Sequence, residues 1–333
     1  MENLIKILKQ FEMEDYPTHS RIHPLHSFSS PSCNVYVKRE DELGFLSSGS
    51  KMRKYLSLVP YLKMNGYKEA VLIGGPYSNN ILILSQLLLQ NLITPTLFLQ
   101  APPPEKIEGN YLWTSLCNST KHIHWIGKEE WVDVETLANE YIRRNPSKKI
   151  ALIPEGASCR ESLPGLVTLA LDIIENEKKL PEPFSHVFID SGTGMTALSL
   201  VLAFAYLEKK TSIHIVQMAG NKQELEQKLL EYKQYFEEMI EGSLSASLPY
   251  IYRPSTARSF GSWNQTILQE VKNVAQQEGI LTDPIYSAKL IFESRKIIME
   301  KKLSGNILLI HSGGSFTLSG FQTQFAHLLQ KGL

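Results

Sequence analysis

The chain alternates short apolar runs with longer segments in which apolar residues recur every three or four positions. The short runs have the length of β-strands, and the periodic segments have the spacing of amphipathic helices. This alternation predicts parallel βαβ units, and therefore an α/β fold with doubly wound open sheets. The predicted strands are residues 70–75, 96–100, 122–126, 150–154, 187–190, 212–218 and 307–311.

The two most apolar parts of the chain do not predict a membrane segment. Residues 1–10 carry charges among their apolar positions, which indicates an amphipathic helix and not a signal peptide. Residues 81–89 are interrupted by Ser85 and Gln86, and they are far fewer than the roughly 20 residues that cross a bilayer. We therefore expect no membrane partner and a cytoplasmic location.

Composition narrows the possible partners. A chain of 333 residues is long enough for two domains or for one large doubly wound unit. Its 34 basic residues balance 34 acidic ones, and no basic run is interleaved with aromatic residues, so a nucleic-acid partner is not expected. Cys33, Cys117 and Cys159 are an odd number of widely separated cysteines, which favours a reducing compartment. A small molecule is the expected partner.

Lys51 is the first candidate for chemistry. It follows the polar turn Ser47-Ser-Gly-Ser and precedes a segment with helical spacing. A lysine forms an imine with an aldehyde cofactor only when the pKa of its amine is near neutral, and partial burial or the charges of Arg53 and Lys54 could lower it. A lysine on the surface would keep an ordinary pKa.

The turn after the strand at 70–75 is a candidate site for a carboxylate. It reads Gly-Gly-Pro-Tyr-Ser78, and the next helix is expected to begin near Asn79. Ser78 is therefore a natural N-cap, which is a purely structural role. The same free N–H groups and helix dipole could instead receive an anionic group of a substrate.

The loop after the strand at 187–190 is a candidate phosphate site. It fits the dinucleotide fingerprint G-x-G-x-x-A from Gly192 to Ala197, which would suggest a nicotinamide-dependent oxidoreductase. That fingerprint expects an acid at the end of the next strand, whereas the nearest acids, Glu224 and Glu226, fall in the following helix. A phosphate monoester needs no such acid, and a lysine together with a phosphate loop indicates pyridoxal phosphate.

Two later segments add candidates, and a metal site is not predicted. An Asp-Pro turn precedes Tyr286, and Ser312 with two following glycines leaves room for a flat ligand. His122 and His124 point to one face of a predicted strand, but no third ligand is spaced to join them.

Five motifs resemble, in order, those of the D-cysteine desulfhydrase and 1-aminocyclopropane-1-carboxylate (ACC) deaminase family. These pyridoxal-phosphate (PLP) enzymes have the tryptophan-synthase β-like fold, PLP fold type II. The motifs are Ser-Gly-Ser-Lys51, Gly-Gly-Pro-Tyr-Ser78-Asn79, the loop 191–196, Gly279-Ile-Leu-Thr-Asp-Pro-Ile-Tyr286, and His311-Ser-Gly-Gly314. The resemblance covers residues 20–325. It implies a homodimer, with a small domain at 50–165 and a large PLP-binding domain at 1–49 plus 166–333.

The resemblance also implies a role for each candidate. Lys51 would hold the cofactor covalently, Asn79 would contact its phenolic oxygen, and Ser312 would meet its pyridine nitrogen. Ser78, Asn79 and Asn80 would bind the substrate, Tyr286 would lie over it, and Ser78 and Tyr286 would join Lys51 in catalysis. The cofactor phosphate would bind the loop of Ser191, Gly192, Thr193, Gly194, Met195 and Thr196.

Departures from the family motifs bear on the reaction. ACC deaminases have glutamate where this chain has Ser287, and a second site tyrosine where it has Phe260. Both changes argue against opening a cyclopropane ring, so the prediction is a D-cysteine desulfhydrase-like lyase that releases pyruvate, ammonia and sulfide. ACC deaminase is the alternative. Unusual residues at Ser50, Asn80, Phe260 and Met195 leave a second alternative, a catalytically silent PLP-binding protein.

Overall fold

The fold is known from a computed structural model that describes residues 1–13, 15–44 and 49–330. Ser47 and Ser48 of the lysine motif lie outside the described residues. The strands are, in chain order, β1 (Ile22–Pro24), β2 (Cys33–Lys38), β3 (Glu69–Gly74), β4 (Thr94–Gln100), β5 (Ile123–Ile126), β6 (Ile150–Ile153), β7 (Phe184–Ser191), β8 (Ser212–Gln217), β9 (Tyr250–Tyr252) and β10 (Gly305–Ile310). The α-helices are α1 (Glu2–Leu8), α2 (Lys51–Met64), α3 (Asn79–Gln90), α4 (Gly109–Cys117), α5 (Val134–Arg144), α6 (Leu163–Glu177), α7 (Met195–Tyr206), α8 (Lys222–Ile240), α9 (Gln265–Glu278), α10 (Ser287–Lys301) and α11 (Gln322–Gln330).

The strands form two sheets. The larger has six strands in the order β1-β2-β10-β7-β8-β9, and the smaller has four in the order β5-β4-β3-β6. Every pairing is parallel except that of β1 with β2. All of the predicted strands are present with bounds shifted by a few residues, so the prediction of two doubly wound sheets is confirmed.

Apolar side chains fill both faces of each sheet, as the uninterrupted apolar runs require. On the larger sheet α6, α7 and α8 cover one face, and α9 and α10 cover the other. On the smaller sheet α2 and α3 lie opposite α5. The N-terminal amphipathic helix is also confirmed, because Leu4 and Leu8 of α1 pack into the core beside α6 to α8.

Sequence reasoning missed β1, β2 and β9. Two of these strands have only three residues, and β2 alternates apolar with polar residues instead of forming an apolar run. All strands of the smaller sheet fall within residues 50–165, but the predicted domain boundaries themselves stay a prediction. Each helix within the described ranges is too short or too polar to cross a bilayer.

A buried ionic cluster fixes α2 to the larger sheet. The Arg53 guanidinium, fully buried on α2, contacts Glu40 at 2.6 Å and Asp172 of α6 at 2.8 Å. The Lys38 amine at the end of β2 also binds Asp172. Burial alone would raise the pKa of the Asp172 carboxyl, but Lys38 and Arg53 outweigh it and hold that pKa below its usual range. Asp172 therefore stays ionised and joins two cations that burial would otherwise make unfavourable.

Replacing Asp172 with asparagine removes the anion that these two cations share. We expect Asp172→Asn to lower the free energy of unfolding by about 3–5 kcal/mol in urea denaturation at neutral pH. Because the folded pKa of Asp172 is lowered, its contribution is lost as the pH falls through that value, so the difference from the wild type should shrink in acid.

Glu140→Gln is a matched control, because Glu140 pairs with Arg144 on the exposed face of α5. It should change stability by less than about 0.5 kcal/mol. Equal losses in the two variants would show that the buried cluster contributes no more than a surface pair.

Candidate active site

A cavity of about 740 Å³ lies between the two sheets. The segments that line it follow the carboxyl ends of β3 and β6 in the smaller sheet and of β7, β8 and β10 in the larger. This is the edge at which parallel α/β sheets place their ligands. All the predicted site residues line the cavity: Lys51, Ser78, Asn79, Asn80, Ser191, Gly192, Thr193, Gly194, Met195, Thr196, Tyr286 and Ser312.

A close backbone contact positions Lys51 at the start of α2. Gly49 has a positive φ of 57°, and a Cβ there would lie 2.0 Å from the carbonyl oxygen of Ser312. Only glycine fits this contact, which is reinforced by the Ser50 N–H donating to the same oxygen at 3.0 Å. The Lys51 amine then lies 5.6 Å from the centre of the Tyr286 ring.

Burial lowers the pKa of the Lys51 amine, while Asp190 and Asp283 act in the opposite direction. Of the two causes that the sequence offered, burial is the larger one, and the Arg53 guanidinium is bound in the cluster with Glu40. Desolvation in the cavity is sufficient cause. A less basic amine is the property that imine chemistry requires.

The turn after β3 brings together the predicted substrate-binding residues. Ser78 is the N-cap of α3, as predicted, and its hydroxyl oxygen accepts the N–H of Asn80 at 3.2 Å. The Asn79 side-chain oxygen accepts from Asn110 at 2.8 Å. The Asn80 oxygen accepts from the Tyr55 hydroxyl at 2.8 Å, whereas its buried amide nitrogen has no hydrogen-bond partner among the described residues.

The loop between β7 and α7 is shaped to receive an anion. Gly194 has a φ of 101°, and a Cβ there would lie 2.7 Å from Leu225, so glycine is required. The helix begins at the next residue, Met195, and its first N–H groups have no partner within the helix. The hydroxyl of Ser191 is buried and makes no hydrogen bond within the described part of the chain. Such a helix start is a typical phosphate site.

The unusual residue Met195 does not obstruct this loop. Its side chain is fully buried and packs with the apolar core beside α7, so the residue presents its main chain to the cavity. The replacement of the family's glycine is therefore compatible with an anion site.

Two lysines at the loop were not identified as site residues from the sequence. The Lys54 amine donates to the Gly156 carbonyl at 2.6 Å, and Gly156 packs closely against Thr193. The Lys228 amine donates to the Thr193 carbonyl at 3.1 Å. Lys54 lies three residues after Lys51 and so shares its helix face, which was an available signal. No feature of the sequence indicated Lys228, which lies on α8.

Burial and the neighbouring charge of Lys51 lower the pKa of the Lys54 amine to about 7. In the free protein Lys54 is therefore cationic only below roughly neutral pH. An anion bound in the loop would favour the cationic form.

Tyr286 and Phe260 form an aromatic wall beside the loop. A Cβ at Gly192 would lie 3.4 Å from the Tyr286 ring, and Phe260 meets that ring edge-on at 6.1 Å. Burial and the nearby carboxylates Asp190 and Asp283 raise the pKa of the Tyr286 phenol far above neutral, so it stays protonated. By contrast, Ser287 is fully buried and donates to the Asp283 carboxylate at 2.7 Å instead of lining the cavity.

These features fit pyridoxal phosphate. The cavity supplies an amine of lowered pKa at Lys51 and, at the loop, an anion site with the amines of Lys54 and Lys228. Buried polar atoms at its wall also lack hydrogen-bond partners among the described residues: the Ser191 hydroxyl, the Asn80 amide nitrogen and one Asp190 oxygen. Buried polar groups normally have partners, so these atoms are consistent with a wall that faces a polar ligand.

Relatives with similar sequences carry the two names of the family that the motifs resemble. The bifunctional D-cysteine desulfhydrase/1-aminocyclopropane-1-carboxylate deaminase of Arabidopsis thaliana is 25% identical over 345 residues, which cover 96% of this chain and 81% of the relative. A D-cysteine desulfhydrase of Salmonella paratyphi A is 24% identical over 298 residues, covering 87% and 90%. No protein-family model matches the chain.

Solved structures show the same fold. A crystal structure described as an ACC deaminase homologue superposes with a TM-score of 0.85 at 22% identity and covers 98% of this chain and 99% of its own. A pyridoxal 5'-phosphate-dependent aspartate racemase gives 0.60 at 9% identity, with 94% of each chain covered. The fold is therefore PLP fold type II, and the resemblance seen in the motifs is confirmed. The chain is similar to a family of PLP-dependent lyases and deaminases.

Removing the charge of Lys54 should weaken binding of the phosphate group specifically. We expect Lys54→Gln to reduce the affinity for pyridoxal phosphate about 10- to 100-fold, because a hydrogen bond to a charged group contributes roughly 1.5–3 kcal/mol. Affinity for pyridoxal, which lacks the phosphate, should change little in equilibrium dialysis. Lys68→Gln, at an exposed position, is the control. An equal loss for both ligands would remove Lys54 from the phosphate site.

The lowered pKa of Lys54 also predicts a pH dependence for anion binding. Sulfate is a suitable probe because its charge is constant between pH 5 and pH 9. Wild-type affinity for sulfate should fall by up to about tenfold per pH unit above pH 7, as Lys54 loses its proton. Titration calorimetry should show weaker binding without this fall in Lys54→Gln. A wild-type affinity that is constant to pH 9 would contradict the assignment.

Proposed function

We propose that the chain is a PLP-dependent lyase that eliminates the β-substituent of a small amino acid, with D-cysteine as its preferred substrate. D-cysteine and water would give pyruvate, ammonia and hydrogen sulfide. The observation that carries this proposal is the Lys51 amine, whose pKa is lowered by burial, in the same cavity as the anion-binding loop.

The described residues account for each part of the cofactor. Lys51 would bond to its aldehyde carbon, Asn79 would contact its phenolic oxygen, and the loop with Lys54 would hold its phosphate. When bound, the cofactor supplies a conjugated ring that accepts the electron pair left on the substrate α-carbon.

The start of α3 would bind the substrate carboxylate. Because the Ser78 oxygen already accepts the capping N–H of Asn80, its hydroxyl proton is available to donate. The unpaired amide nitrogen of Asn80 provides another donor at the same wall. The positive end of the α3 dipole favours a negative charge at this position.

Lys51 and Tyr286 would move the protons of an elimination. Once the substrate amine has displaced it, the Lys51 amine would be the base that removes the α-proton, because burial lowers its pKa and so favours the unprotonated form. Tyr286 keeps its proton and lies 5.6 Å from that amine, measured to the ring centre, so its hydroxyl can donate to a departing thiolate. The arrangement thus supplies a base and an acid.

Phe260 favours desulfhydration over ring opening. Its ring lines the cavity beside Tyr286 and has no hydroxyl, whereas the resemblance implies a second tyrosine at this place in ACC deaminases. Ser287 gives weaker support than the sequence suggested, because its hydroxyl is directed to Asp283 and away from the cavity. ACC deamination remains the alternative, since the Arabidopsis relative is named for both activities.

Three of the four departures that suggested a silent protein, Ser50, Asn80 and Met195, are accommodated by the structure. Ser50 donates its hydroxyl to the Ser312 carbonyl at 3.3 Å, Met195 packs into the core, and Asn80 is anchored by Tyr55. Each of these side chains has a place that keeps the cavity open, which supports turnover. A homodimer and a cytoplasmic location stay predictions.

The cofactor bond at Lys51 can be located directly. Purified protein with pyridoxal phosphate should absorb in the visible range, and borohydride should fix the cofactor to the peptide that contains Lys51. Lys51→Ala should lose both signals, while Lys68→Ala at an exposed position should keep them. A colourless wild-type protein, or cofactor fixed by borohydride to a different lysine, would contradict the proposal.

A substrate panel decides among the candidate reactions. D-cysteine, L-cysteine, D-serine and ACC would be compared by kcat/KM, with pyruvate or 2-oxobutyrate as the measured product. We expect D-cysteine to be used best. Faster turnover of ACC would select the deaminase alternative, and a visible band without any product would select the silent PLP-binding protein.

A further inference from the structure

Asp190 is an acid in the cavity that the resemblance does not account for. It is the penultimate residue of β7, directly before the anion-binding loop, and it lines the cavity. The neighbouring strand β10 leads to Ser312, whose hydroxyl acts on the Asp190 carboxyl and lowers its pKa. One carboxylate oxygen of Asp190 is buried and has no hydrogen-bond partner among the residues that the structure describes.

Asp283, a second buried acid that does not itself line the cavity, has no such spare capacity. Its carboxylate accepts the N–H groups of Ile285 and Tyr286 at 2.8 Å and that of Ser287 at 3.0 Å. It also accepts the Ser287 hydroxyl at 2.7 Å. Asp283 therefore has a structural role in the turn before α10, whereas Asp190 is open to a ligand.

The charges that face Asp190 change when a cofactor binds. Burial raises the pKa of the Asp190 carboxyl and Asp283 adds to this effect, whereas Ser312, Lys51 and His311 act in the opposite direction. Once the Lys51 amine is bonded to a ligand aldehyde, it no longer serves as a free ammonium partner. A buried carboxylate without a partner is costly, so the bound state needs a new donor at Asp190.

The chemistry of pyridoxal phosphate determines which of its atoms can be that donor. The aldehyde group is attached to the ring carbon that lies directly across the pyridine ring from the nitrogen. With the aldehyde at Lys51 and the phosphate in the loop that follows Asp190, the nitrogen lies at the end of the ring away from Lys51. Ser312 lies on that side by the resemblance, and its hydroxyl acts on the pKa of the Asp190 carboxyl.

We propose that Asp190, assisted by the Ser312 hydroxyl, accepts a hydrogen bond from the protonated ring nitrogen of the cofactor. This inference rests on the proposed function. A carboxylate holds the proton on the nitrogen, and a protonated ring is the stronger electron acceptor. Asp190 would then act directly on the cofactor and increase its capacity to stabilise charge at the substrate α-carbon.

Nitrogen-15 NMR measures this proton without any turnover. Wild-type protein loaded with ring-labelled pyridoxal phosphate should show the chemical shift of a protonated pyridine at pH 8. Asp190→Asn should keep the visible band but show the shift of a neutral pyridine. Asp133→Asn, an exposed carboxylate, should behave like the wild type.

Each outcome has a definite meaning. A neutral nitrogen in the wild type, or a protonated one in Asp190→Asn, overturns the role of Asp190 and leaves the proposed function intact. A wild type that lacks the visible band overturns both.

A second measurement needs no variant. A cofactor analogue with a carbon in place of the ring nitrogen should bind the wild type at least tenfold more weakly than pyridoxal phosphate, because it leaves Asp190 without a donor. Equal affinity would contradict the proposal.

Discussion

The contact between Gly49 and the carbonyl of Ser312 is the constraint on which the site depends. It joins the start of α2, which packs on the smaller sheet, to the end of a central strand of the larger one. Four residues after Gly49, the buried guanidinium of Arg53 fastens the same helix to Glu40 and Asp172. The first turn of α2 is therefore held from both directions, and Lys51 is directed into the space between the sheets.

The basic residues in the first turn of α2 also point to three different places. Lys51 reaches the cavity, Arg53 reaches the ionic cluster behind it, and Lys54 reaches the loop near Thr193. This division explains how a strongly basic run can be buried. Arg53 is paired with Glu40 and Asp172, the Lys54 amine donates to the Gly156 carbonyl, and burial lowers the pKa of both lysines.

Much of the fold could be predicted from the sequence, because the strands of a parallel sheet that is covered on both faces are continuous apolar runs. Strand β2 was missed because it carries polar residues such as Asn34 and Lys38. Lys38 can be buried because its amine is paired with Asp172. The Ser78 N-cap and the glycine loop before α7 were predictable since they use local rules of backbone geometry.

The missed residues of the site act through distant contacts. Lys228 comes from the middle of α8 and meets the loop only in the folded chain. Asp190 reads as the end of an apolar strand, and only its unpaired oxygen beside Ser312 distinguishes it. Ser287 shows the opposite error, because a hydroxyl next to Tyr286 in sequence is turned away from it in space.

The main-chain character of the loop before α7 has an evolutionary consequence. Main-chain amide groups can bind an anion whatever the side chains of the loop are, provided that Gly194 keeps the positive φ of the turn. Substitutions such as methionine at position 195 can then accumulate as neutral drift. The architecture persists at 22% identity to the ACC deaminase homologue, a level at which side-chain signatures have largely faded.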